Sequence, residues 1–92
     1  MLKLSVTTQF KKDFKRCKKR GYDLNLLKVV LDKLIAEEPL DAKYKDHSLY
    51  GNYVGFRECH ILADWLLIYK IDEDRIILTA SRTGTHSDLF NE

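Results

Sequence analysis

The 92-residue sequence predicts a small α+β domain in which two helices lie on one face of an antiparallel sheet. Three observations predict this class. An alternating segment comes first, two amphipathic segments with helical spacing follow it, and three short β-rich segments fill the second half. The expected order is β-α-α-β-β-β with a short C-terminal helical turn. Because the chain has four glycines, one proline and no repeat or linker, residues 1–92 are expected to form a single domain.

The first strand and helix are predicted by a change in hydrophobic period. Apolar and polar residues alternate over 2–6, as in a strand with one buried face. Thr7 or Thr8 then offers a helix N-cap, and Gly21 offers a stop signal. Three apolar side chains between them share one helical face: Phe10, Phe14 and Cys17.

A second helix and a three-stranded meander follow. Asp23 is the next cap, and apolar residues recur with helical spacing over 24–35, ahead of Pro39. The β-rich segments are 54–60, 65–71 and 75–81, with hairpin-length connections between them. The middle segment is apolar on both faces, so we expect it to be the central strand.

Composition indicates a soluble globular protein, with 45% apolar and 33% charged residues. The longest apolar run, 65–69, is far shorter than the roughly 20 residues that span a bilayer. Charged residues also interrupt the N-terminus before a secretory signal can form. We therefore expect a cytoplasmic protein with no membrane contact. In it Cys17 and Cys59 stay reduced and act as small buried hydrophobes.

The first twenty residues concentrate positive charge, although the whole chain carries only +2. Eight basic residues stand there against one acidic residue, Asp13, which gives +7 for the segment. The basic residues are Lys3, Lys11, Lys12, Lys15, Arg16, Lys18, Lys19 and Arg20. Such a segment is either a solvated helix face or an electrostatic contact for nucleic acid, and composition leaves both open.

Residues capable of proton transfer cluster in the second half, which holds all three histidines: His47, His60 and His86. His60 closes one predicted strand, while Asp64 and Trp65 open the next, so a hairpin brings these three to one end of the sheet. Taken singly, each has an ordinary structural role. No two histidines have the close spacing of zinc ligands, and no metal site is expected.

Two further candidates lie near the C-terminus. Arg82 ends the last predicted strand, where an arginine is most often a surface ion-pair partner. His86 and Phe90 stand four residues apart in the expected helical turn, so their side chains are expected to share a face. Phe90 most simply anchors the C-terminus to the core.

Five motifs in a fixed order resemble the YafQ branch of the RelE superfamily of toxins. They are YKDH at 44–47, L-x-G at 49–51, GFRECH at 55–60, DWLLIY at 64–69 and RTGTHSDLF at 82–90. The first half resembles the family in its strand–helix–helix order and its basic first helix. The resemblance implies a RelE-like fold and a ribosome-dependent endoribonuclease that cuts messenger RNA without a metal or other cofactor. It also implies three partners: the ribosome, its message and a cognate DinJ-like antitoxin of the ribbon-helix-helix type.

The chemistry so implied is attack of a ribose 2′-hydroxyl on the adjacent phosphorus, which needs a base, an acid and positive charge. Histidine suits both proton roles, and the arginine fork suits phosphate. The resemblance makes His47, His60, Asp64 and His86 the proton-transfer set and Arg82 the phosphate clamp. We expect His86 to be the acid and His60 with Asp64 the base and its orienting carboxylate, while His47 can exchange roles with either.

Other positions acquire expected roles from the same resemblance. Trp65 and Phe90 are expected to shape the site and steady nucleotides, because RNA bases stack on aromatic faces. Five lysines are expected to dock on ribosomal RNA phosphates: Lys11, Lys12, Lys15, Lys18 and Lys19. The main alternative is a non-catalytic, ParE-like toxin or binding module that acts by protein contact, and a free RNA-binding regulator is the third possibility.

Overall fold

The computed structural model describes residues 1–90, so the last two residues of the expected 1–92 domain lie outside it. In chain order the elements are β1 (Lys3–Val6), α1 (Thr8–Lys19), α2 (Leu24–Ile35), β2 (His47–Ser48), β3 (Arg57–Leu62), β4 (Trp65–Asp72), β5 (Ile77–Gly84) and α3 (His86–Phe90). Two 3-10 turns, Ala42–Tyr44 and Gly51–Tyr53, flank β2. The α+β class is confirmed, and so is the closing helical turn.

The strands form one five-stranded sheet in the order β1-β5-β4-β3-β2. Strands β2 to β5 pair with antiparallel neighbours. β1 instead pairs with β5 in parallel, from Lys3 opposite Ile77 to Val6 opposite Ala80. The sheet is therefore mixed rather than wholly antiparallel, because α1 and α2 carry the chain away from β1 and only the returning β5 lies beside it.

Local signals set the helix boundaries. The Thr7 side chain accepts a hydrogen bond from the Phe10 amide at 2.9 Å, and Asp23 accepts one from the Asn25 amide at 3.1 Å. Each bond satisfies an N–H that the first helical turn leaves free. Gly21 follows α1 with a φ of +79°, the left-handed conformation that glycine adopts without strain. Both predicted helices are confirmed with their caps.

The strand boundaries differ from the predicted ones by a few residues. β3 starts at Arg57 rather than at 54, because residues 51–53 form a 3-10 turn. It continues to Leu62, which pairs with Trp65, so the turn to β4 spans only two residues. β5 is shifted to 77–84, because the residues before it form a turn in which the Arg75 amide donates to the Asp72 side chain. β2 was not predicted, because two exposed polar residues give no strand signal.

Apolar side chains form one cluster on each face of the sheet. The larger cluster joins α1 and α2 to the sheet and includes the free, buried Cys17 and Cys59. The smaller one joins Leu66 and Ile68 of β4 to Leu89 of α3. β4 is thus buried on both faces, as its sequence predicts. Among residues 1–90 we find no helix with the length and apolarity that crossing a membrane requires.

Candidate acid–base site

Three imidazoles meet beside β3, the strand next to the β2 edge of the sheet. His47 lies opposite Glu58 in the β2–β3 pair, and His60 is two residues further along β3, on the same face. α3 begins with His86 and brings the third ring. The His60 ring centroid lies 6.3 Å from that of His47 and 5.7 Å from that of His86, so His60 occupies the middle position.

Glu58 supplies a buried carboxylate that the sequence analysis missed. Its side chain is 6% exposed, and its Oε1 lies 3.5 Å from the Nε2 atoms of both His47 and His60. The signal was available, because residues two apart on a strand share a face. His47 is held from its other side by the Lys45 carbonyl, 2.7 Å from Nδ1, and a carbonyl only accepts. Nδ1 of His47 therefore carries the proton and Nε2 faces Glu58.

Asp64 was expected to pair with His60, but it pairs with His86 instead. Its Oδ1 accepts from the His86 backbone amide at 3.0 Å and lies 2.6 Å from the His86 Nδ1. These two bonds, the backbone one foremost, lower the pKa of Asp64. The carboxylate is then ionised near neutrality and only accepts, so Nδ1 of His86 is the donor and Nε2 is the nitrogen left to exchange protons. The pairing follows from the two-residue turn, whose tip lies beside the start of α3.

The helix that carries His86 is fastened to α1. Thr85 and Asp88 cap each other, with the Thr85 amide donating to Asp88 at 3.0 Å and the Asp88 amide donating to the Thr85 hydroxyl at 3.1 Å. Arg20 donates to both oxygens of Asp88, at 2.6 and 3.1 Å. Gly84 has no room for a side chain, since a Cβ would lie 2.9 Å from Asp88. Sequence reasoning missed Arg20 and Asp88 because their contact spans 68 positions.

Arg82 lies opposite Ile68 of β4, two strands from β3. Its Nε donates to Asp13 Oδ2 at 2.7 Å, and its Nη2 donates to Asp13 Oδ1 at 3.2 Å. The Arg82 side chain is 21% exposed, and its hydrogen bonds to the Asp13 carboxylate raise the pKa of the guanidinium further. A charged, oriented and partly accessible arginine of this kind is suited to bind a phosphate.

The two aromatic candidates belong to different apolar clusters. Trp65 belongs to the helix-side core and is 2% exposed, and its ring packs at a tilt against Tyr22 with 4.9 Å between centroids. Its ring is therefore not available to stack on a base, contrary to the expectation. Phe90 is partly exposed and meets Tyr53 edge-on, with 5.7 Å between ring centroids. It belongs to the smaller apolar cluster, whereas His86 at the other end of α3 joins the histidines.

The five lysine candidates are all exposed on α1: Lys11, Lys12, Lys15, Lys18 and Lys19. α1 lies against β5, at the opposite side of the sheet from β2. This basic surface therefore lies on the helix that packs against β5, the strand that carries Arg82. Two arginines of the same segment form salt bridges instead: Arg16 pairs with Asp13, and Arg20, whose side chain is 38% exposed, pairs with Asp88.

A cavity of about 430 Å³ adjoins His60. Its walls come from α2, the 3-10 turn before β2, and the end of β3, and they are mainly apolar. Lys43 and Lys45 provide its positive charge. The cavity therefore combines apolar walls, positive charge and a neighbouring imidazole.

Part of the cluster also has the composition of a metal site. Donor atoms of Glu58, His60 and His86 all lie within 4.8 Å of one another. Two imidazoles and one carboxylate suit zinc or copper, so these residues fit such an ion and would hold it. When bound, the ion would act as a Lewis acid.

The fold and the cluster together define a small α+β protein equipped for proton transfer on an anionic substrate. The imidazoles supply donors and acceptors, the carboxylates orient them, and Arg82 supplies positive charge. Comparisons with known proteins identify the family.

A family model described as "Bacterial toxin of type II toxin-antitoxin system, YafQ" matches residues 2–91. The "mRNA interferase toxin YafQ" of Escherichia coli is 46% identical over 88 residues, which cover 95% of this chain and 94% of that protein. Among solved structures, the E. coli DinJ-YafQ complex superposes with a TM-score of 0.89 at 42% identity, covering 98% of this chain and 99% of that one. A metal-bound toxin from Helicobacter pylori superposes with a TM-score of 0.92 at 46% identity, covering 98% of this chain and 100% of that one. The chain belongs to the YafQ family of bacterial toxins of type II toxin–antitoxin systems.

Proposed function

We propose that this protein is an mRNA interferase, a ribosome-dependent endoribonuclease that inhibits translation by cutting messenger RNA. The observation that carries the proposal is the convergence of His47, His60 and His86 with two carboxylates beside β3. A relative named mRNA interferase toxin, 46% identical over most of both chains, supports it.

The cut proceeds by attack of the ribose 2′-oxygen on the adjacent phosphorus. A base removes the 2′-hydroxyl proton, the bond from phosphorus to the 5′-oxygen breaks, and an acid protonates that leaving oxygen. The products are a 2′,3′-cyclic phosphate and a 5′-hydroxyl. Proton transfers of this kind contribute about 10²- to 10⁴-fold each.

His86 is the general acid in this proposal. Asp64 holds the Nδ1–H at 2.6 Å, so the proton that reaches the leaving oxygen comes from Nε2. His60 is the base, with Glu58 in the role that the sequence analysis gave to Asp64. The Glu58 carboxylate lies 3.5 Å from His47 as well, so it balances charge on whichever of the two rings takes the proton.

Arg82 binds the phosphate and stabilises the charge of the transition state. Its partner carboxylate is also held by Arg16, so two guanidiniums share one negative charge and the group stays net positive. Phe90, which is partly exposed beside Tyr53, offers an aromatic edge to a neighbouring nucleotide. Trp65 supports the site from the core.

The partners follow the family. The DinJ-YafQ complex supports a cognate DinJ-like antitoxin for this chain, and the ribosome presents the message. The exposed lysines of α1 offer positive charge to ribosomal RNA.

A metal ion would compete with this chemistry rather than assist it. The related toxin from H. pylori is described as metal-bound, and Glu58, His60 and His86 fit such an ion here. An ion on those atoms would occupy the lone pairs that proton transfer needs. Cleavage is therefore expected to persist when a chelator that spares Mg²⁺ removes transition metals.

The test is primer extension on a translating message in a reconstituted translation reaction. We expect the wild type to cut only with ribosomes, and we expect His86→Ala to slow single-turnover cleavage by about 10²- to 10⁴-fold. Arg82→Ala is expected to slow it by about 10²- to 10³-fold. Matched controls are Ser87→Ala, the exposed neighbour on α3, and Arg75→Ala, whose side chain is 79% exposed.

Cleavage by His86→Ala at the wild-type rate would remove the acid assignment. An uncut message with translation still arrested would favour a toxin that acts by protein contact. Loss of cleavage on transition-metal removal would make the ion a participant in the reaction.

A further inference from the structure

Asp13 is the one acidic residue among the first twenty, yet its side chain is fully buried. Taking a carboxylate out of water costs several kcal/mol unless it is paired and hydrogen-bonded. The hydrogen bonds that stabilise the buried Asp13 carboxylate also hold in place the groups that donate them. Oδ1 accepts from Gln9 at 3.2 Å and Arg16 at 2.9 Å, in addition to Arg82.

The second oxygen serves the end of β5. Oδ2 accepts from the Nε of Arg82 at 2.7 Å and from the Thr83 backbone amide at 3.2 Å. Asp13 thus holds the strand that carries Arg82 and one edge of the guanidinium at the same time. Two parallel bonds from Nε and Nη2 fix the guanidinium plane, whereas one bond would let it rotate.

Position explains why this carboxylate is available. β1 ends opposite Ala80, and beyond that point α1 lies against β5. Edge groups of β5 therefore find partners on the helix side, with the Thr7 hydroxyl donating to the Ser81 carbonyl at 2.7 Å and Asp13 accepting from Thr83. The α1 segment therefore orients the C-terminal end of β5, which carries Arg82.

We propose that Asp13 is a positioning residue for cleavage, which acts by holding the Arg82 guanidinium in the plane that grips the phosphate. The proposal rests on the proposed function. A phosphate needs the arginine fork in a defined direction, and a misplacement of about 1 Å can cost on the order of 10²-fold in rate. Asp13 itself does not touch the substrate.

The experiment is a double-mutant cycle in single-turnover cleavage on ribosomes, with wild type, Asp13→Asn, Arg82→Ala and the double variant. Asp13→Asn preserves the shape of the side chain but removes the charge and one acceptor. We expect it to lower the maximal rate by about 10- to 100-fold with little change in the apparent KM. In the Arg82→Ala background, the same change is expected to have no further effect.

Measurements of folding and two further variants distinguish a structural defect from a loss of positioning. Thermal unfolding and far-UV circular dichroism establish that each variant is folded. Asp13→Glu keeps the charge but displaces the fork, so it is expected to slow cleavage and takes the place of Asp13→Asn if that variant does not fold. Asp32→Asn is the matched control, because Asp32 is 57% exposed on α2 and pairs only with Lys28 among residues 1–90.

The outcomes distinguish this inference from the proposed function. Losses that multiply in the double variant, or full activity of a folded Asp13→Asn, would overturn the positioning role while Arg82 remains the clamp. Full activity of Arg82→Ala would overturn the clamp, and Asp13 with it. A wild type that does not cut would overturn the proposed function itself.

Discussion

The indole of Trp65 and the hydroxyl of Thr83 form a buried hydrogen-bond chain. The indole N–H donates to the Thr83 hydroxyl at 2.9 Å, and that hydroxyl donates to the Leu66 carbonyl at 2.8 Å. Thr83 also gives its backbone amide to Asp13. Trp65, which the family motif matches as a site residue, therefore serves the core here. It does so through Thr83, the residue next to Arg82.

We expect Trp65→Phe to lower the free energy of unfolding by about 1–3 kcal/mol while cleavage per folded molecule stays unchanged. The change leaves the buried Thr83 hydroxyl without its donor. Urea unfolding followed by circular dichroism gives the stability, and single-turnover cleavage gives the activity. Normal stability with lost cleavage would instead mean that the ring contacts RNA.

At the scale of elements, α3 has only five residues and relies on tertiary contacts for its stability. Leu89 anchors it in the smaller apolar cluster, and Asp88 ties it to α1. Arg20, hydrogen-bonded to both oxygens, holds the pKa of Asp88 well below its usual range. The position of His86 thus depends on a salt bridge to a different helix.

Asp88→Asn is expected to lower the free energy of unfolding by about 1–3 kcal/mol at neutral pH, since it removes a charge-assisted pair with a mostly buried acid. Because the pKa of Asp88 is lowered on folding, its contribution is complete above about pH 4 and is lost as the pH falls through the folded value.

Urea unfolding of both proteins at a series of pH values measures this contribution. The difference should be constant from pH 7 to about 4 and should narrow below that. The exposed Lys28–Asp32 pair is the control, and Asp32→Asn should cost at most about 1 kcal/mol. A difference that grows on acidification would contradict the role of Asp88.

For the whole molecule, the basic N-terminal segment divides into two functions. Arg16 and Arg20 form salt bridges with Asp13 and Asp88 while their side chains stay partly exposed, whereas the lysines of α1 are on the exposed surface. Composition could not separate the solvated face from the structural one, because the acids that the arginines meet include one that is 68 positions distant. The exposed lysines, which take no part in those two salt bridges, are the candidates for contact with ribosomal RNA.

Replacing Lys11, Lys12 and Lys15 with glutamine is expected to weaken ribosome binding and to reduce its salt slope by roughly 2 to 3 units. Stability should not change, because all three side chains are exposed. Binding measured across a salt series is the test. The control is Lys28→Gln with Lys33→Gln on α2, which removes two charges where the α1 variant removes three. An unchanged slope would mean that the α1 lysines contact only solvent.

Sequence alone predicted the features that depend on neighbouring residues. The caps Thr7 and Asp23 bond within their own helices, and the antiparallel hairpins need only short connections. It did not predict the parallel β1–β5 pair, which joins segments more than seventy positions apart. The three histidines were identified by type, whereas their partners Glu58 and Asp64 depend on strand register and on where α3 returns.

The parallel pairing of β1 with β5 also sets the order in which activity can appear during synthesis. Arg82 follows its partner Asp13 by 69 positions in the chain, and His86 follows its partner Asp64 by 22. A nascent chain that lacks residues 82–88 has neither Arg82, the proposed phosphate clamp, nor the third histidine. Such long-range closure is slow compared with local folding. We therefore expect cleavage activity to appear only after β5 and α3 have joined the sheet.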